Sequence, residues 1–127
     1  MSHRGFPVHG HLELADAASS LAISMYRDGV GTSGDATPIT VGSGERLTIT
    51  SFIISSTGAQ TNVLYLSADN DGTRQDGEDL FQGAMAALAI VAQNNIEVTG
   101  SAGAGLRIDG SSTGTVSVSF TGYITKA

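Results

Sequence analysis

The chain reads as all-β: a single jelly-roll-like β-sandwich of about eight strands with an extended N-terminal arm. Three observations predict this. From residue 46 onward, runs of Thr, Ser, Val and Ile are broken by glycine roughly every eight to twelve residues, which is the punctuation of short strands. Charged residues make up 14% of the chain, against about 25% in an ordinary domain, so Ser, Thr, Asn, Gln and Gly must cover much of the surface. Finally, 127 residues can bury about two-thirds of their unfolded surface in one core but hold no material for a second.

Residues 1–11 are polar, contain Gly5, Pro7 and Gly10, and show no apolar period. They read as an arm held either by its own domain or by a neighbouring subunit, with the sandwich assigned to 12–127. The first strand, 12–15, alternates Leu12 and Leu14 with Glu13, and 20–26 gives the second. A loop follows at 27–36, with three glycines and two aspartates. Pro38 confines 37–41 to a sheet edge, because proline cannot donate to a ladder, and 42–45 turn the chain. Across 46–56, Leu47 and Ile49 alternate with Thr48 and Thr50, and then Phe52, Ile53 and Ile54 run together. That change of phase predicts a bulge or a strand buried on both faces. A hairpin-like turn at 57–60 returns the chain as a strand over 61–68. Over 83–93 helix competes with strand, since Ala, Leu and Met favour helix, but the short length and poor caps favour a strand. Strands at 95–99, 105–109 and 114–125 complete the set; the last alternates Val116, Val118 and Phe120 with Ser117, Ser119 and Thr121.

Charge and composition exclude several functions. The formal net charge is -6, and much of it is local: Asp69, Asp71, Asp76, Glu78 and Asp79 crowd a segment whose one basic residue is Arg74. The cations Arg4, Arg27, Arg46, Arg74, Arg107 and Lys126 are scattered singly, whereas neutralising phosphates needs them clustered, so no direct nucleic-acid partner is expected. No cysteine is present, which excludes disulfides and thiolate metal sites. Neither a basic-then-apolar leader nor an apolar run near ~20 residues is found, the longest being 84–92, so a soluble protein with no membrane partner is expected.

Candidate chemistry is sparse. Ser67, Asp69, Asp71, Gly72 and Glu78 follow the spacing of an EF-hand calcium loop. However, Ser67 offers a hydroxyl where that pattern has a carboxylate, Arg74 replaces an apolar residue, and the flanks read as strands. A solvated acidic connector accounts for the same residues, and calcium is the one cofactor the pattern admits. His3, His9 and His11 are the chain's only histidines. On extended backbone His9 and His11 project to one face, as a zinc site requires, yet only Glu13 stands near to complete a shell, and a packing or hydrogen-bonding role is the simpler reading. Serines abound, but no histidine outside 1–11 is available to activate one, so no enzymatic activity is expected.

Three segments, LTITSFIISSTGAQTNVLYL (47–66), GAGLRI (103–108) and TVSVSFTGY (115–123), resemble small jelly-roll proteins of tailed bacteriophages: head decoration or cement proteins and related head-fibre and tail-spike domains. The resemblance covers about residues 46–125 and is one of pattern. It implies a homotrimer, made in the host cytoplasm and resident on the outer surface of the capsid, that bridges major capsid protein subunits and carries no catalytic residue. A protein that binds only the expanded lattice stabilises it by mass action, and that task needs contact area more than chemistry. The arm would then supply a second contact, with Phe6, Pro7 and Val8 as apolar anchors and Arg4 and His9 at the polar rim. On that reading, removing 1–11 leaves a folded protein that fails to bind capsids. The alternative is a fibre, spike, or calcium- or carbohydrate-binding β-sandwich for host attachment, with Tyr26, Tyr65, Tyr123 and four phenylalanines as the available aromatic surfaces.

Overall fold

A computed structural model describes residues 6–14, 21–27, 39–67, 79–110 and 115–127. Among them are ten strand segments: β1 (Phe6–Leu14), β2 (Leu21–Ala22), β3 (Met25–Arg27), β4 (Glu45–Ser56), β5 (Gln60–Ser67), β6 (Asp79–Met85), β7 (Ile90–Gln93), β8 (Val98–Thr99), β9 (Gly105–Gly110) and β10 (Val116–Lys126). They form two antiparallel sheets, the first ordered β3-β1-β10-β4-β7 with β8 also on β4, the second β2-β9-β5-β6.

The pairing is that of one antiparallel ribbon wound on itself. β1 pairs with β10, β2 with β9, β4 with β7 and β8, and β5 with β6, each pair nested inside the one before. Wrapping the ribbon brings β10 against β4 and β9 against β5. The outcome is a jelly roll, as the sequence predicts.

Period two along the strands builds the core. β10 buries Val116, Val118, Phe120, Gly122 and Ile124 and turns the residues between them outward. Leu47, Ile49, Phe52 and Ile54 of β4 and Val8 of β1 join them, packed with Leu64, Leu66, Leu106 and Ile108 of the second sheet. Each such side chain contributes about 1.5–3 kcal/mol of burial.

The change of phase in β4 is a bulge. Thr121 pairs with Ser51 and Gly122 with Ile49, so Thr50 is the extra residue. Leu47 and Ile49 point inward before it, Phe52 and Ile54 after it, and Ile53 is turned outward at 49% exposure. Gly122 is required here, because a Cβ would collide with the Thr48 carbonyl.

Four expectations are corrected. Residues 6–11 are not an arm: β1 begins at Phe6 and runs nine residues along β10. Phe6, Val8, Gly10 and Leu12 form one inward series, and Gly10 hides its apolar period. A Cβ there would overlap the Phe120 ring and the Ser24 carbonyl, so the core side chain at this place is supplied by β10. Residues 57–60 do not make a hairpin but cross from one sheet to the other, since β4 pairs with β10, β7 and β8, and β5 with β6 and β9. The segment 83–93 is two strands in different sheets, joined by a turn in which the Ala89 N–H donates to the Ala86 carbonyl at 3.1 Å and Leu88 takes a left-handed φ of 64°. Residues 20–26 likewise divide between the sheets, β2 on β9 and β3 on β1. Of the expected strand 37–41, Ile39 makes a single bridge to Met25; Pro38 and the loop 28–36 lie outside the described residues.

Candidate functional site

The positions singled out in the sequence are dispersed by the fold. Ser67 closes β5, while Asp69, Asp71 and Glu78 lie outside the described residues, as does Arg4. Val8 is sealed in the core at 0% exposure, and Phe6 is half-buried against it. Pro7 and His9 are exposed. His9 and His11 do share the outward face of β1, opposite Thr121 and Ser119, and the His9 ring packs obliquely on Tyr26, with centroids 5.9 Å apart. Among the described residues no three His, Asp or Glu side chains converge to hold a metal, and no helix is long and apolar enough to cross a membrane.

What the fold does assemble is a broad outward face on the first sheet. Across its strands run three rows: His9, Thr121 and Ser51; His11, Ser119, Ile53 and Ala92; Glu13, Ser117, Ser55 and Ile90. Beyond β1 the rows are hydroxyls and aliphatic groups alone. At the bulge the hydroxyls bind one another: Thr121 Oγ1 lies 2.6 Å from Ser51 Oγ and 3.0 Å from Thr50 Oγ1. One strand further along, Thr48 Oγ1 and Thr99 Oγ1 are 2.7 Å apart. Tyr123 donates its hydroxyl to Glu97 Oε1 at 2.7 Å.

Two hollows open beside this face. One, of about 420 Å³, is lined by Thr50, Ser51, Asn94, Asn95, Ile96, Glu97 and Thr121. The other, of about 330 Å³, is lined by Ser51, Ile53, Ala92, Gln93 and Asn94. At the β7 margin Ile90 is 69% and Leu88 80% exposed; with Ile53 they are the large exposed hydrophobics among the described residues. This apolar margin was missed in the sequence, where residues 83–93 read as one strand. Ile53 had a signal: once the bulge is chosen over a doubly buried strand, period two turns it outward.

The aromatic inventory changes too. Tyr65 is fully buried and cannot stack on a ligand. Tyr26 and Tyr123 remain half-buried on the first sheet.

No protein-family model matches the chain, and no curated protein sequence matches it. Among solved structures, a chain of the cyanophage Pam1 capsid asymmetric unit is similar over 92% of this chain and 82% of its own, with 13% identity and a TM-score of 0.43. The Eiger TNF structure from S. frugiperda is similar over 96% of this chain and 92% of its own, with 14% identity and a TM-score of 0.46. The Clostridium thermocellum xylanase 10B structure, with its CBM22-1 and GH10 modules, is similar over 97% of this chain and 29% of its own, with 16% identity and a TM-score of 0.41. The chain's own ladders establish what it is structurally: a jelly-roll sandwich of two antiparallel sheets.

Proposed function

We propose that the chain is a non-enzymatic structural protein of a tailed-phage virion, a decoration or cement protein that binds the outside of the head as a homotrimer and stabilises the lattice. One observation carries the reading: the three segments that resemble phage decoration proteins fold into β4, β5, β9 and β10, the strands wrapped together at the middle of both sheets. The resemblance therefore falls on the ladders that define the jelly roll. A closed sandwich supplies contact area, and preferential binding to the expanded shell shifts its equilibrium toward that state. Contact with the major capsid protein is assigned to Arg4, Phe6, Pro7 and His9; Val8, being part of the core, is left out.

The test is co-sedimentation of the purified chain with expanded heads of its phage that lack it. Saturable binding that raises the temperature at which the heads release DNA is the expected result, and absence of binding to expanded heads would refute the reading.

A second reading, a carbohydrate-binding module for host attachment, is favoured by the hollow at the bulge. Its hydroxyls, the amides of Asn94 and Asn95 and the Glu97 carboxylate offer donors and acceptors suited to a sugar. Titration with host surface glycans checks it. Calcium at Ser67, Asp69, Asp71 and Glu78 belongs to the same reading, and a melting temperature raised by calcium and restored by chelator is its expected sign.

A further inference from the structure

We infer that the outward face of β10, β4 and β7 is the surface on which copies of this chain meet. The inference rests on the self-association included in the proposed function and names the surface that performs it. Three observations converge on a second copy as the occupant.

The first is apolar exposure. Ile53, Ile90 and Leu88 are 49%, 69% and 80% exposed, and they are not scattered. Ile53 pairs with Ala92, and Ile90 with Ser55, on one side of the sheet, while the Leu88 N–H is bonded to the Ser56 carbonyl at 2.9 Å in the adjoining turn. They form one patch on the margin of a face whose other side chains are small enough to allow close approach. Leu88, held out on a left-handed backbone, is a projection, and the 330 Å³ hollow beside Ile53 and Ala92 is a recess on the same molecule. A projection and a recess on one chain let Leu88 of each copy seat in the recess of another, a contact that is isologous where it is reciprocal and closes a ring where it runs head to tail.

The second is charge. Each copy carries a formal net charge of -6, so two copies repel unless they approach over neutral ground. The rows through Ser51, Ile53 and Ser55, with their β7 and β10 partners, contain no ionisable side chain. The hydroxyls at the bulge already bond to one another, so excluding water from them orphans few polar groups.

The third is area. β10, β4 and β7 are eleven, twelve and four residues long, which at ~3.3 Å per residue and ~4.8 Å between strands gives a face of roughly 430 Å². Two copies that cover this face bury about 860 Å², the size of a weak, concentration-dependent association.

The experiment is the solution mass by size-exclusion chromatography with light scattering. Wild type should run at a multiple of 12.9 kDa. The double variant Ile53→Glu, Ile90→Glu should run as a monomer that still melts in one cooperative transition, and Gln82→Glu, on the second sheet, should keep the wild-type mass. The uncharged double variant Ile53→Ser, Ile90→Ser should self-associate at least about tenfold more weakly, since tenfold corresponds to ~1.4 kcal/mol and two partly exposed isoleucines lose more than that. A wild-type monomer at every concentration, or double variants that retain the wild-type mass, would overturn the inference. The same samples are tested on expanded heads, which separates the two readings. A wild-type monomer that binds heads sinks the inference and leaves the proposed function standing; an oligomer that the glutamates dissociate, but that does not bind heads, does the reverse.

Discussion

On the second sheet, the outward position between Leu64 and Leu66 is Tyr65, which is fully buried, and its cross-strand neighbour Arg107 is only 8% exposed. On the first sheet, the outward position between Phe52 and Ile54 is Ile53, which is 49% exposed beside a still more exposed Ile90. Both sheets obey the same inward alternation of Leu, Ile, Val and Phe, but they treat the outward phase differently. The second sheet closes over a large aromatic and a cation at its middle, while the first leaves isoleucines in the open among small hydroxyls. The difference teaches that one alternation of inward residues can leave two unlike outer faces, one covered and one open to solvent.

The comparison can be broken most severely at β1. Removing residues 1–11 takes away the first two-thirds of β1, the strand paired with β10, together with the buried Val8, and exposes an edge of the core sheet. The loss is comparable with the roughly 5–15 kcal/mol that holds a domain folded. The expected outcome in thermal denaturation followed by circular dichroism is no cooperative transition; a truncated chain that melts like the full one would show that β1 is dispensable. Next in size is Tyr65→Ala, expected to cost about 3–5 kcal/mol, the range for truncating a buried aromatic, and readable in urea unfolding. A cost near zero would mean that the second sheet's outward face is as open as the first's.

Smaller effects sharpen the picture. Gly10→Ala places a methyl against the Phe120 ring and the Ser24 carbonyl, and overpacking of this kind costs about 1–3 kcal/mol. Adding Phe120→Leu should recover part of the loss attributable to the ring but not the part due to the carbonyl, a non-additivity that a double-mutant cycle measures. Least of all, Ile53→Ala should change monomer stability by no more than ~0.5 kcal/mol, whereas Ile54→Ala, one residue along and fully buried, should cost about 2–5 kcal/mol. Equal costs at 53 and 54 would erase the distinction between inner and outer face on which the comparison rests.

Much of the fold was legible where period two is uninterrupted. β10 alternates without a break, so its inward residues could be named in advance. In β4 the interrupted alternation pointed to a bulge or to a strand buried on both faces, and the register makes it a bulge at Thr50. β1 was illegible for a definite reason: its inward series includes Gly10, whose place is filled by a ring from β10, so no local apolar period marks it. The candidate contact residues suffered accordingly. Val8 passed from a presumed anchor to the core, while Pro7 and His9 kept exposed positions. The apolar margin at Leu88 and Ile90 was invisible because a run such as 84–92 looks the same whether its residues are buried or displayed.

By itself, then, the sequence determined the all-β class, the strand periodicity and the scarcity of charged residues, because these follow from residue identity and near-neighbour spacing. Only the tertiary structure decided which strands pair, that 57–60 and 86–89 cross between sheets instead of closing hairpins, and which outward faces are covered. A two-residue period says that side chains alternate between faces, but whether a face meets solvent, a core or another molecule depends on elements far away along the chain.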